Sequence, residues 1–138
     1  MRSLSRLQID RSEPFTSFLF FRGDSQQAAD ALLGQLKARD GRLTRKEMAR
    51  FANDLESGRL GFKFSRTNFY HGVLGTFLNL GFIGSFRTYD AVNRGTIYVY
   101  RPIVQPIPSQ APVNPSFWRV AYDICKWWNE VMFSGDEV

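Results

Sequence analysis

The sequence predicts an α+β fold, because three amphipathic helical patterns are followed by two aromatic and β-branched segments typical of a β-hairpin. A proline-rich segment and an additional C-terminal amphipathic helix complete the chain. With 138 residues, 43% of them hydrophobic, the chain has the size of one domain with a buried core. This composition excludes the low-hydrophobicity, high-charge class of disordered chains.

The first helical pattern covers residues 24–37. Asp24 and Gln27 have the spacing of a capping box, in which two side chains bind otherwise unpaired groups at a helix start. An apolar face follows, and the helix is predicted to end at Gly41. The face consists of Ala29, Leu32, Leu33 and Leu36.

The second helical pattern begins with another capping box, formed by Thr44 and Glu47. Apolar residues follow at the i, i+3, i+4, i+7 spacing of one helix face, and Gly58 is predicted to end the helix. The face consists of Met48, Phe51, Ala52 and Leu55.

The third helical pattern is predicted to begin at Ser65, whose hydroxyl can cap it, and to end at Gly81. Its apolar residues recur at helical spacing, so one face is expected to point into the core. They are Phe69, Val73, Phe77 and Leu80.

Residues 82–89 and 96–101 are predicted to pair as a β-hairpin. The six residues between them, 90–95, include Asp, Asn and Gly, which suit a turn. Leu43 is predicted to add a short third strand at the hairpin's edge.

Five of the six prolines lie between Pro102 and Pro115, so this segment is predicted to be extended and to form no hydrogen-bonded ladder. Asn114 and Pro115 then have the residue types of an N-cap and first helical position. The helix that follows is expected to reach about Phe133. The predicted organisation is an N-terminal extension (1–23), a three-helix and hairpin domain (24–101), a connector (102–115) and a C-terminal helix (116–138), together forming one compact unit.

The C-terminal helix has a larger apolar surface than packing on one small domain needs, and its aromatic residues and Met are typical of interface cores. One interpretation is a homodimer through Trp118, Tyr122, Trp127, Trp128 and Met132. The other is intramolecular: the helix packs with the apolar residues 14–21 as an extension of the core.

Positive charge is concentrated before the proline-rich segment. Residues 1–101 have sixteen Lys/Arg and nine Asp/Glu, whereas the rest of the chain has two and four. From Arg59 to Arg101 there are six basic residues and a single acid, Asp90. This excess favours a polyanionic partner. The alternative is that the charges only keep an aromatic-rich surface in solution.

Enzymatic and metal-binding classes find little support in the sequence. Any Cys/His site would rest on Cys125 and His71, the one residue of each type. The P-loop, nucleophile-elbow and His-Glu-x-x-His motifs are absent, so we expect no catalytic activity, cofactor or metal. The N-terminal residues lack a signal-peptide pattern and the charge-free run 67–86 is interrupted by polar residues and glycines. We therefore expect a cytoplasmic protein without membrane association.

The order of elements over residues 24–101 resembles the winged helix-turn-helix superfamily. The pieces that carry the resemblance are Gly-Arg-Leu-Thr-Arg-Lys-Glu-Met at 41–48, a tight strand leading into a capped helix, and the Gly-Phe-Ile exit from helix three at 81–83. The resemblance implies double-stranded DNA binding and a role in transcription regulation, with helix three in the major groove and the hairpin as the wing. Members that use this fold only for protein contacts provide the alternative function.

The resemblance also implies which residues contact DNA. The groove-facing residues would be Arg66, Thr67, Asn68 and His71, where Arg and Asn can recognise guanine and adenine and the glycines near them permit close approach of the helix. The phosphate-binding residues would be Arg45, Lys46, Arg87 and Arg94. Simpler interpretations exist for three of these features: Arg66 and His71 as ordinary surface residues, and Gly75 as a position of tight helix packing.

Overall fold

The computed structural model describes residues 12–134, which form an α+β structure. They divide into two compact units. The central unit is Phe20–Ile103, and the terminal unit consists of residues 12–19 and 104–134. The first eleven residues of the predicted N-terminal extension and the last four of the predicted C-terminal segment lie outside the described residues.

The central unit begins with helix α2, Gly23–Ala38, which buries the predicted face together with Ala28. The predicted capping box at its start is wrong. The helix begins one residue before Asp24, and its N-cap residue, Arg22, makes no side-chain cap. Asp24 instead accepts hydrogen bonds from the N–H of Ser25 at 2.8 Å and from the Arg22 guanidinium at 2.7 Å. Its carboxylate therefore binds neighbouring residues and does not form the capping box.

Strand β1, Leu43–Thr44, leads directly into helix α3, Arg45–Ser57, through the predicted capping box. Thr44 Oγ1 accepts from the N–H of Glu47 at 3.1 Å, and Glu47 Oε1 accepts from the N–H of Thr44 at 2.8 Å. This second bond, with Arg39 and Arg42 nearby, holds the pKa of Glu47 below its ordinary value despite partial burial. The predicted buried face and the end of the helix at Gly58, in the left-handed conformation, are confirmed.

The third helix is a continuous run of three pieces: α4, Arg66–Asn68, a π-helical segment, Phe69–Leu74, and α5, Gly75–Leu80. Ser65 caps it as predicted, accepting from the N–H of Asn68 at 3.2 Å. The predicted inward position of Leu80 is wrong, since its side chain is 53% exposed, whereas Leu74 is buried. The extra residue in the π turn rotates α5 relative to an unbroken α-helix and takes Leu80 off the buried face.

Gly81 ends the third helix with φ at +81°, and the predicted hairpin follows. Strand β2, Ile83–Asp90, pairs antiparallel with β3, Gly95–Pro102, and β1 adds to the free edge of β3. Leu43 lies opposite Tyr100, which confirms the predicted third strand. The turn between β2 and β3 is formed by residues 91–94.

The terminal unit contains helix α1, Thr16–Leu19, and helix α6, Phe117–Asn129, which continues as a π-helical segment, Glu130–Ser134. The predicted cap at Asn114 and Pro115 is wrong: Ser116 is the N-cap, and its hydroxyl accepts from the N–H of Arg119 at 3.1 Å. The Asn114–Pro115 peptide bond, which precedes the helix, is cis.

The core of the terminal unit is aromatic. The Phe15 ring packs against Trp127 and Trp128 at centroid distances of 5.3 and 5.5 Å. The proline-rich segment forms no helix or strand between residues 103 and 116. It is tied to α6 by the Asn129 amide, which accepts from the N–H of Gln105 at 2.8 Å and donates to its carbonyl at 2.9 Å.

Burial divides the five residues of the predicted dimer surface. Trp127, Trp128 and Met132 are buried within the chain, Tyr122 is half-buried, and Trp118 is 70% exposed. The contacts of Phe15 with both buried tryptophans correspond to the intramolecular interpretation. The dimer itself stays a prediction, and Trp118 is the tryptophan available for it.

Within residues 12–134, no helix combines the length and the apolarity needed to cross a membrane.

Trp128→Ala is expected to lower the free energy of unfolding of the terminal unit by about 3 to 5 kcal/mol, because a fully buried indole leaves a large cavity. The matched control is Trp118→Ala, which removes an exposed indole and should change it by less than about 0.5 kcal/mol. Urea denaturation followed by circular dichroism measures both. Equal effects of the two substitutions would contradict the burial of Trp128.

Candidate nucleic-acid interface

The four residues predicted to face a DNA groove are all exposed, and they occupy the first two turns of the third helix. Arg66, Thr67 and Asn68 form α4, and His71 lies in the π-helical segment. The opposite side of this helix is anchored in the core by Phe69, Val73 and Phe77, all 0% exposed. The helix therefore presents a polar surface on a rigidly packed support.

Arg66 is held by the preceding helix. Its guanidinium donates to Asn53 Oδ1 at 3.0 Å, and its N–H donates to Glu56 Oε2 at 3.2 Å, both on α3. A guanidinium has five N–H donors, so one hydrogen bond to Asn53 orients the group and leaves donors for another acceptor. The structure thus gives Arg66 a bridging role between α3 and the third helix.

Two glycines of the third helix have different surroundings. A Cβ at Gly75 would lie 3.1 Å from the Tyr70 carbonyl oxygen, which accepts from the Gly75 N–H across the π turn. Gly75 therefore packs tightly against a carbonyl group of its own helix and not against a neighbouring helix or strand. A Cβ at Gly72 would meet nothing within 4 Å. Gly72 consequently leaves a stretch of helix backbone open to a close approach from outside.

Two of the predicted phosphate-binding residues are neighbours of Tyr98. The Arg45 guanidinium, in the first turn of α3, lies over the Tyr98 ring at 4.7 Å from its centroid. Arg87 lies directly opposite Tyr98 in the β2–β3 pairing, on the same side of the hairpin. The start of α3 and the hairpin therefore contribute adjacent positive charges to one surface.

Lys46 and Arg94 are exposed at separate positions. Lys46 follows Arg45 in α3, whereas Arg94 is in the hairpin turn, where its backbone has φ at +54°. No contact brings these two residues to the Arg45–Tyr98–Arg87 cluster among the residues that the structure describes.

Tyrosines are the part of this surface that the sequence analysis missed. Tyr89, Tyr98 and Tyr100 lie on the same side of the hairpin, since they occupy alternate positions that the pairing brings together. Tyr70, on the third helix, is close enough to Tyr100 and Arg66 for both to act on its pKa, which partial burial raises above the ordinary value. The alternation of Tyr98 and Tyr100 along β3 was the available signal.

In the central unit most acidic side chains have partners, whereas several basic side chains have no carboxylate partner within residues 12–134. The unit has thirteen Lys/Arg and seven Asp/Glu, a net charge of +6. Five of its acids accept hydrogen bonds or form ion pairs inside the unit: Asp24, Glu47, Asp54, Glu56 and Asp90. By contrast, Lys46, Arg87 and Arg94 have no carboxylate partner within residues 12–134. Positive charge thus remains available to an external anion.

The described part of the chain holds no group of three His, Cys, Asp or Glu side chains arranged to bind a metal ion. Cys125 is half-buried in α6, and burial raises the pKa of its thiol above the ordinary value. Comparison of the chain with protein-family models, curated proteins and solved structures finds no match.

Gly72→Ala and Gly75→Ala are expected to have opposite effects on stability. Alanine at Gly72 should raise the free energy of unfolding by up to about 1 kcal/mol, because it gains helix propensity and meets no atom. Alanine at Gly75 should lower it, because its methyl group would press on the Tyr70 carbonyl oxygen. Thermal denaturation of both variants provides the measurement, and stabilisation by Gly75→Ala would argue against the π-helical turn.

Proposed function

We propose that the central unit binds double-stranded DNA in the manner of a winged helix and acts as a transcriptional regulator. The observation that carries the proposal is the unpaired positive charge of Arg87 and Arg94 on the hairpin, in a unit whose acids are largely occupied internally. Neutralising phosphates and releasing their counterions supplies most of the affinity of such proteins.

In the proposed complex, the third helix lies in the major groove with its first turns towards the base edges. Asn68 can make two hydrogen bonds to adenine, and Arg66 can make two to guanine. Thr67 and His71 add donors and acceptors beside them, and Gly72 lets the helix backbone approach the DNA. These residues determine sequence preference, whereas the arginines on the hairpin set position and affinity.

Phosphate contacts are assigned to Arg45, Lys46, Arg87 and Arg94. Arg45 and Arg87 act together because the Arg45 guanidinium lies over the Tyr98 ring and Arg87 lies opposite Tyr98 in the β2–β3 pairing. Arg94 lies in the hairpin turn and Lys46 in the first turn of α3, so each contacts a separate phosphate.

A homodimer through the start of α6 is part of this proposal. Phe117 and Trp118 are 66% and 70% exposed there, with their rings in edge-to-face contact. In a two-fold symmetric dimer each chain would bring one third helix to the DNA, which favours palindromic sites with half-sites about one DNA turn or a multiple of it apart.

A protein-interaction module without DNA binding is the second candidate function. It is favoured by the exposed apolar side chains of the central unit. They are Phe21, Leu60, Leu80, Tyr89, Val92 and Tyr98. Exposed apolar residues of this kind are common in protein interfaces.

Titration of random-sequence duplex DNA at several salt concentrations tests the two functions. About four to six phosphate contacts predict a slope of about −4 to −5 in the plot of log affinity against log salt concentration. Arg87→Ala should reduce the steepness by about 1. Lys126→Ala, in the terminal unit, is the matched control and should leave the slope unchanged. Absence of binding even at low salt would favour the protein-interaction module.

Arg94→Ala and Asn68→Ala are expected to separate affinity from sequence preference. After a preferred site has been selected from a random pool, Arg94→Ala should weaken binding to all sequences alike. Asn68→Ala should lose about 1 to 3 kcal/mol of discrimination at one base pair. Competition binding with sites altered at single base pairs measures both. The same pattern of loss in the two variants would contradict the placement of the third helix.

A further inference from the structure

We propose that one side of the hairpin stacks unpaired bases, so that the preferred substrate is duplex DNA with a single-stranded extension. This side, the tyrosine face, consists of Arg87, Tyr89, Thr96 and Tyr98, with Tyr100 at its base next to Leu43. The inference rests on the proposed DNA binding and names the form of DNA that the surface fits.

The pairing of the strands determines which side chains share the face. Arg87 lies opposite Tyr98 and Tyr89 lies opposite Thr96, so the two tyrosines are diagonal neighbours on adjacent strands. Tyr89 is 67% exposed and Tyr98 is 39% exposed. Near the base of the hairpin the same side is closed by Ile83 and Leu43, which are buried. The exposed aromatic surface is therefore confined to the outer half of the hairpin.

Core packing does not account for Tyr89. Its side chain is two-thirds exposed and offers a large flat apolar surface. The ring contacts no other aromatic ring or cation among residues 12–134. Tyr98 differs, because the Arg45 guanidinium lies over its ring, 4.7 Å from the centroid. The face thus combines a ring without such a contact, Tyr89, with a ring that stacks on a cation, Tyr98.

The spacing of the face favours unpaired bases over paired ones. Tyr89 and Tyr98 are diagonal neighbours on adjacent strands, a relation that separates side chains by about 7 to 8 Å. Stacked bases of a duplex are only about 3.4 Å apart along each strand and leave no gap for a side chain. Bases that stack on these tyrosines must therefore be unstacked from each other, as in an extended single strand.

The charges of the face suit a phosphate backbone. Arg87 lies between Tyr98 and Tyr89, and Arg45 lies over Tyr98. The acid that follows Tyr89, Asp90, points to the other side of the strand by alternation. Its carboxylate accepts from the N–H of Val92 at 3.1 Å and from Asn93 Nδ2 at 2.6 Å. Aromatic rings interleaved with arginines are the combination that single-stranded DNA binds through stacking and ion pairing.

The test compares three fluorescent DNAs by anisotropy: a blunt duplex, the same duplex with a six-nucleotide extension, and the free single strand. The wild-type chain should bind the extended duplex about tenfold more tightly than the blunt one, a gain typical of a base stacked on an aromatic ring. An extension of abasic sugars, which keeps the phosphates, should remove the gain. 2-Aminopurine in the extension should lose fluorescence on binding.

Variants of Tyr89 provide the matched controls, since this exposed side chain is not needed for folding. Tyr89→Phe should keep the tenfold gain, whereas Tyr89→Leu should reduce it to within about twofold of blunt-duplex binding. Equal affinity for extended and blunt duplexes would overturn the stacking inference and leave DNA binding intact. Tight binding of the single strand without blunt-duplex binding would support stacking and overturn the duplex-binding function. Binding to none of the DNAs would overturn both.

Discussion

The reciprocal hydrogen bonds between Thr44 and Glu47 connect the sheet of the central unit to its helices. They determine the residue at which the strand becomes a helix, and Thr44 is at the same time paired with Val99 of β3. Arg45, the next residue, is consequently placed beside Tyr98, which precedes Val99 in the antiparallel strand β3. A local cap thus aligns a charged helix start with the hairpin, and the candidate surface depends on this alignment.

The features that could be predicted from the sequence are those determined within a few residues. The cap at Thr44, the helix ends at Gly58 and Gly81 and the hairpin each depend on side chains or turns close along the chain. The two wrong cap predictions have a common cause. Asp24 and Asn114 are good capping residues by type, but the helices begin at other positions, where Gly23 opens α2 and Ser116 supplies the acceptor for α6.

The candidate site was predictable in part, for a related physical reason. Exposed polar residues on the third helix follow from its apolar spacing, so the exposure of Asn68 and His71 could be anticipated. The cluster of Arg45, Arg87 and Tyr98 depends on strand register and on the contact between β1 and β3, which no local pattern reveals. The choice between partner binding and core packing for Trp127 and Trp128 likewise depends on contacts with Phe15, more than a hundred residues away.

The π-helical segment Phe69–Leu74 has a consequence for how this fold can vary. Such a segment is equivalent to one residue inserted into an α-helix, and each residue of an α-helix turns the chain by about 100°. Loss of a single residue there would return Leu80 towards the buried side and rotate the exit at Gly81, where the hairpin begins. The insertion or deletion of one residue can thus change the direction of the hairpin relative to the third helix. Insertions and deletions in this short segment could change the direction of the hairpin without altering any residue on the surface of the hairpin.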